Sequence, residues 1–319
     1  MSILVYESLS AAKPVAPGDA ERELRAAGVA MRDAIVDDLL GLPGVRVTCA
    51  VGGAPWDRSA ANLATAAARA GEDAQAFVGR IAPAHDLCWI VAPETGGELA
   101  RLRATVGDAR WIGCDAATIR CASSKRATLS ALSAAGVPTP LDEAARHRGR
   151  WLVKPDDGAG CLSTRVHGDH AAALANRGRG DVLEPFVEGE ALSISMIVGA
   201  DLASVVSFNR QRIEIDATGR LTDLGVRPAA LDVATDPRIA HLEAVAAATA
   251  HALPGLAGFV GIDVVWNEQR GAVVIEVNPR VTCAYVGLSA KLGRNLAAEI
   301  LRLKALDTMR RETLDGCRA

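Results

Sequence analysis

Two apolar runs near the C-terminal end each carry an acid where a buried strand would ordinarily have none. They read GFVGIDVVWN and GAVVIEVNPR, joined by a turn around Glu268–Gly271. Asp263 lies between Ile262 and Val264, and Glu276 between Ile275 and Val277. An ionised carboxylate is costly to bury, so each acid needs a cation or a strong donor set. Either acid alone is most simply a hairpin residue on the wet face of a sheet. Asp263, Glu276, Asn278 and Arg280 taken together are poorly explained that way. Two carboxylates and an amide oxygen on adjacent strands form an oxygen-only cluster, which suits Mg²⁺.

The rest of the chain can supply a core around such a hairpin. A length of 319 residues predicts about two domains, or one large unit with subdomains. Half of the residues are hydrophobic and 23% are charged, which excludes wholesale disorder. Aromatics are 3%, so the core is built from Ala, Val, Leu and Ile, and stacking platforms for single-stranded nucleic acid are not expected. Thirty-five basic against 38 acidic side chains give a net charge of −3, which argues against a nucleic-acid or anionic-membrane protein. The cysteines, at 49, 88, 114, 121, 161, 283 and 317, form no CxxC pair and fit free thiols in a reducing cytoplasm. The opening MSILVYES lacks the basic start and long apolar stretch of a signal peptide. The longest uncharged run, Ala244–Ile262, is Ala-rich and interrupted by Pro254, so it predicts a helix, a turn and a strand start rather than a membrane span.

The first third alternates strand and helix. Ile3–Tyr6, Val45–Val51 and Leu87–Val91 predict strands. Asp19 can cap a helix along which Leu24, Gly28, Met31, Ile35 and Leu39 recur, stopped by Leu42-Pro43-Gly44. Ala74, Phe77, Val78 and Ile81 mark one face of another helix. This rhythm predicts a doubly wound α/β sheet with helices on both faces. After residue 115 the pattern changes to α+β. Ser123 or Ser124 caps a helix carrying Lys125, Leu129 and Leu132 and ending at Gly136. Strands are predicted at Trp151–Lys154, Val182–Phe186, Leu192–Val198, Ser204–Ile215, Phe259–Trp266 and Val273–Val277, and helices at Arg238–Ala252 and Leu296–Leu303. Boundaries fall near 115 and 187, giving segments 1–115, 116–187 and 188–319.

Two lysines sit at changes of local structure. Lys125 begins a helix, and Lys154 ends the strand WLVKP just before the loop DDGAGCLST. Gly158 and Gly160 let backbone N–H groups come close to phosphate oxygens. No GxxxxGK[ST] occurs, so this is not a Walker-type loop, and no GxGxxG follows the first strand, which weakens a nicotinamide reading. In VLEPFVEGEALSIS a strand ends at Glu184, Pro185 turns the chain, and Glu188, Gly189 and Glu190 precede a fresh strand. Such a crossing offers backbone groups and carboxylates to a flat base and its ribose, although an acid-decorated hairpin is the simpler reading of it alone. His167, Asp169 and His170 read as a surface turn rather than a metal cluster. No His/Cys/Ser constellation calls for covalent catalysis.

In this order the pieces resemble the ATP-grasp superfamily, over about residues 118 to 285. Asp263 and Glu276 stand thirteen apart, with Asn278 two further on, as in that family's metal pair. The resemblance implies an ATP-grasp fold. Residues 1–115 would form the pre-ATP domain, 116–187 the central lid subdomain and 188–319 the C-terminal catalytic subdomain, the last two clamping ATP. It implies that Lys125, Lys154, Gly158 and Gly160 hold the nucleotide phosphates. Glu184 and the main chain of Phe186 and Val187 would hold the adenine, and Glu190 the ribose. Many relatives carry the ribose acid one position later, where this chain has Ala191, so the choice between Glu188 and Glu190 stays open. Asp263, Glu276 and Asn278 would bind two Mg²⁺, with Mn²⁺ as a substitute, and Arg280 would stabilise the transferring phosphate.

The stretches SFNRQRIEI and NPRVTCAYVGLS are similar to the tyramine–glutamate ligase group, which serves methanofuran- and methylofuran-type cofactor synthesis. That similarity implies amide formation between a glutamate carboxylate and the amine of tyramine or tyrosine, with Asn209, Arg210, Gln211 and Arg212 on the acceptor side. Arg210 and Arg212 leave one face of their strand and Asn209 and Gln211 the other, and a single face can look into the cleft. The implied activity is an ADP-forming carboxylate–amine ligase working through an acyl phosphate, in the cytoplasm, with small-molecule substrates and no nucleic-acid or membrane partner; the sequence does not set the oligomeric state, for which a homodimer is only the default. Another amino-acid or dipeptide ligase, or a nucleotide-binding regulatory module without ligase activity, remains the alternative.

Overall fold

The computed structural model describes residues 1–12, 19–53, 56–158 and 160–316. Cys317, Ala159 and the side chain of Asp19 lie outside that description, and with them the cap expected from Asp19. The chain order is β1 (Ser2–Glu7), α1 (Ser8–Ala11), α2 (Asp19–Leu40), β2 (Arg46–Ala50), β3 (Leu63–Ala66), α3 (Ala74–Ile81), β4 (Leu87–Val91), α4 (Glu98–Val106) and β5 (Trp111–Ile112). These strands form a parallel sheet in the order β3-β2-β1-β4-β5. Alternation along β1 decides which helix covers which face. Ile3 and Val5 pack with Ile35, Val36 and Leu39 of α2, while Leu4 and Tyr6 pack with Phe77 and Val78 of α3 and Leu99 and Leu102 of α4. The strand order reverses between β1 and β4, so the carboxyl ends of these two strands frame a crevice of the kind where open α/β sheets bind ligands.

Next come α5 (Ala116–Ala122), α6 (Lys125–Ala134), β6 (Trp151–Pro155), β7 (Arg165–His167), α7 (His170–Ala175) and β8 (Asp181–Pro185). Strand β6 pairs antiparallel with both β7 and β8 to form a small three-stranded sheet. Asp169 caps α7 by accepting from the Ala172 N–H, and His170 packs edge-on against Trp151, so the two histidines are absorbed into local structure.

The remainder contains β9 (Glu190–Gly199), β10 (Leu202–Ile215), β11 (Leu221–Arg227), α8 (Ile239–Ala252), β12 (Gly258–Asn267), β13 (Gly271–Asn278), α9 (Leu288–Leu292) and α10 (Leu296–Gly316). Its antiparallel sheet has the order β11-β10-β9-β12-β13. One face, carrying Leu192, Ile194, Ile262, Val264 and Val274, packs on Leu242, Val245 and Ala246 of α8. The C-terminal segment docks back on the first domain: Tyr285 Oη and Ser289 Oγ both donate to the Asp38 carboxylate on α2, at 2.6 and 2.5 Å. Among the described residues no helix is long and apolar enough to cross a membrane.

Candidate functional site

The acid pair is built by register. Asp263 on β12 sits directly opposite Glu276 on β13, and the pairing slips immediately afterwards, with Val264 opposite Val274. Ile275 is the extra residue of a bulge, a device that re-aims neighbouring side chains. Val264 and Val274 return to the α8 face, leaving Asp263 and Glu276 together on the other. Asp263 accepts from Asn278 Nδ2 at 3.1 Å and from Gln211 Nε2 at 2.9 Å. Burial, and then the charge of Glu276, push the Asp263 carboxyl up to about 7, against the pull of those two hydrogen bonds. Asp223 on β11, which the sequence reading did not single out, adds to the same negative field.

Two lysines are buried nearby, and one of them connects this pair to the loop after the small sheet's first strand. Ser124 caps α6, so its first residue, Lys125, starts the helix at the cleft. Lys125 Nζ lies 3.0 Å from Glu276 Oε1 and also donates to the Gly158 carbonyl. The loop holds the helix start in turn: Asp156 accepts from Ser124 Oγ at 2.8 Å and from the Arg126 N–H at 2.9 Å. Gly160 has φ +65°, and Cys161 and Ser163 are also left-handed at φ 57°, so the loop is tightly curled. Lys154, at the end of β6, pairs with Glu184 on β8 at 2.7 Å, and both are almost fully buried.

These residues fit a metal-bound nucleotide on two counts. Glu184 Oε2 is buried with no hydrogen-bond partner, a free acceptor beside a buried ammonium. Burial and the neighbouring Glu276 charge raise the Asp263 carboxyl to about 7, and a divalent cation would remove that penalty. Among the described residues, no three His, Cys, Asp or Glu side chains converge as a complete metal shell. The oxygen set Asp263, Glu276 and Asn278 would leave a cation open positions for phosphate oxygens and water.

Several expected roles meet a different geometry. Trp266 pairs with Glu190 and Asp263 with Ser193, so Glu190 leaves the sheet on the face opposite Asp263. There it forms ion pairs with Arg210 and with Arg238, the latter at 2.5 Å. Burial opposes its charge, but the bonds from Arg238 and Arg210 outweigh burial and hold its carboxyl below the usual range. Glu188 is exposed and binds Arg150 at 2.6 Å. Neither acid therefore faces the acid pair. The Phe186 N–H already donates to the Arg150 carbonyl at 2.9 Å, and Val187 is buried beside it.

The four acceptor-side residues divide by strand alternation. Arg210 pairs with Leu192 and points to the Glu190 face, and exposed Arg212 lies two residues further on. The arginine face thus turns away from Asp263, and the Asn209–Gln211 face lies on the side of the acid pair. Asn209 is fully buried and saturated: it accepts from Ser207 Oγ and the Ala229 N–H, and its amide donates to Ser193 and Ser195. It is a structural hub rather than a ligand contact. Gln211 alone of the four reaches the acid pair. Arg280 meets a partner that no sequence signal announced, Glu94 beyond β4, through two bonds of 2.9 Å.

Residues 122–284 match the ATP-grasp domain family, and residues 45–119 match the pre-ATP-grasp 3 domain. The chain belongs to the ATP-grasp family. It is similar to a tyramine–L-glutamate ligase of Methanocaldococcus jannaschii, 28% identical over 206 residues, which cover 64% of this chain and 58% of that protein. In structure it is similar to an ATP-grasp superfamily protein from Archaeoglobus fulgidus, with TM-score 0.68, 19% identity, and coverage of 94% of this chain and 88% of the other. It is also similar to the D-alanine–D-alanine ligase of Bacillus anthracis, with TM-score 0.64, 13% identity and 99% coverage of both chains.

Proposed function

We propose that the protein is an ATP-dependent, ADP-forming ligase joining a carboxylate to an amine, with an amino acid among its substrates. The observation that carries this reading is the cluster in which Lys125 bridges Glu276 and the glycine loop while Glu276 faces Asp263. We read 1–115 as the pre-ATP-grasp domain, 116–187 as the lid and 188–319 as the catalytic subdomain.

On this reading Lys125 and Lys154 hold the phosphates and the Gly158–Gly160 loop covers them. Glu184 accepts from the adenine amino group through its unpartnered oxygen. Asp263, Glu276 and Asn278 hold Mg²⁺, which when bound cancels charge on the phosphoryl oxygens. The substrate carboxylate attacks the γ-phosphate, giving an acyl phosphate and ADP; the amine then attacks the acyl carbon and releases phosphate. The protein's share is in-line positioning and a positive field from the two lysines and Arg280. An acyl phosphate hydrolyses readily, so loop closure excludes water.

A narrower reading, glutamate to tyramine or tyrosine in methylofuran-type synthesis, draws support from the name of the M. jannaschii relative. Arg210 is engaged by Glu190 on the other face of its strand, so the substrate is proposed here as the wider amino-acid class. Phosphate release should be measured with Mg·ATP across a panel of amino acids and amines, glutamate with tyramine included. Release that requires one carboxylate and one amine together supports the ligase. Nucleotide binding without release for any pair favours a regulatory module.

A further inference from the structure

Arg280 follows the catalytic hairpin, yet its guanidinium is held from the N-terminal sheet. Glu94 Oε1 accepts from Arg280 Nε and Glu94 Oε2 from Nη2, each at 2.9 Å, while Nη1 donates to the Val281 carbonyl at 3.2 Å. Glu94 is 5% exposed. A two-point contact of this kind fixes both the place and the plane of a guanidinium. The same turn grips the glycine loop: Thr95 Oγ1 donates to the Asp157 carbonyl at 3.0 Å, and the Gly96 N–H to the Asp157 carboxylate at 2.9 Å. Gly96 and Gly97, at φ 62° and 74°, give the turn a left-handed path that a side chain would strain. It lies just past the carboxyl end of β4, beside β1, where the strand order reverses.

We propose that Glu94 is a positioning residue that sets Arg280 toward the phosphoryl oxygens, from a turn that also pins the glycine loop. The turn thereby couples the N-terminal domain to the chemistry of the other two. This rests on the ligase reading above and adds to it a residue outside the ATP-grasp domain. Glu94 acts through Arg280, so its removal alters the chemical step more than nucleotide affinity.

The test is a double-mutant cycle of Glu94→Gln and Arg280→Gln, read as ADP release with the best carboxylate–amine pair and as Mg·ADP affinity. Glu94→Gln should keep Mg·ADP affinity within about twofold and lower kcat by about tenfold or more, with little change in the KM for ATP. The double variant should be no slower than Arg280→Gln, because both changes remove one unit. Glu94→Asp, which keeps the charge and shortens the reach, should lose less activity than Glu94→Gln, and it carries the same cycle should the Gln variant fail to fold. Normal kcat in the Glu94 variants, losses that multiply in the double variant, or a lower KM for the carboxylate with kcat intact would each overturn the proposal. Normal turnover in Arg280→Gln, or no turnover in the wild-type chain with any pair, would instead overturn the ligase-site reading and this inference with it.

Discussion

Asp263 and Glu276 face each other across adjacent strands, and the cost of that proximity is written in the Asp263 carboxyl, raised to about 7 by burial and by its neighbour's charge. A carboxyl raised on folding destabilises the fold as pH climbs. Below the unfolded value of 3.8 both states hold the proton; between there and about 7 the unfolded chain releases it first. In the metal-free protein this group should therefore lower stability as pH rises from about 4 to about 7, and add nothing further above that. Denaturation midpoints of the wild type and Asp263→Asn, compared across that range without divalent ions, should diverge in favour of the variant. Parallel curves would show that Asp263 is ionised throughout.

Glu276→Gln should abolish turnover while leaving the fold intact. The amide removes the charge that meets Lys125 and that would meet a cation, in a side chain only partly buried. The loss should be about a hundredfold or more in kcat at saturating Mg·ATP, the scale of deleting one electrostatic contact to a developing charge. Near-normal turnover at saturating Mg²⁺ would remove Glu276 from the metal site.

Mg·ATP should slow hydrogen exchange at residues 156–158 and 160–163. Asp156 already braces the start of α6 and Asp157 the turn after β4, so the first part of the loop is anchored, and the Gly158 carbonyl that follows accepts from Lys125. Equal exchange with and without nucleotide would deny the loop its covering role.

Much of this site was legible because short apolar runs with one misplaced acid have few structural solutions. Asp263 and Glu276 meet by strand register and Lys125 reaches Glu276 from a capped helix start, both local enough to read from residue order. The faces of β10 were not legible. Alternation separates Asn209 and Gln211 from Arg210 and Arg212, but which pair meets the cleft depends on pairing with β9, a long-range choice. The face of Glu190 was not legible for the same reason: one position in a strand decides between the acid-pair face and the helix face. Strand β11 was missed because LTDLGVR is largely exposed and barely alternates. Glu94 lies in the turn after β4 and its partner follows β13, 186 residues away, and no local pattern marks it.

Arg210→Ala and Gln211→Ala should separate cleanly. Arg210 pairs with Glu190 on an exposed part of the far face, where such pairs contribute about 0–1 kcal/mol. Its loss should leave both substrate KM values within about threefold of the wild type. Gln211 donates to Asp263, so its removal should raise the Mg²⁺ concentration needed for half-maximal turnover. If Arg210→Ala raised the amino-acid KM tenfold or more, β10 would present its arginine face to substrate after all.

Asn209→Ala should damage the fold rather than the chemistry. Asn209 is fully buried and binds three serines and the Ala229 N–H, tying β9 to β10 and to the residues after β11. Alanine would leave the Ser193 and Ser195 oxygens without their amide donor, and the Ser207 hydroxyl and the Ala229 N–H without their acceptor, in a dry site. Leaving one such group unsatisfied costs about 1–3 kcal/mol, so the denaturation midpoint should fall well beyond error. The KM for the amino-acid substrate, measured on the folded fraction, should stay put. An unchanged midpoint with a raised KM would place Asn209 back at the substrate, and would mean that β10 shifts when the cleft is filled.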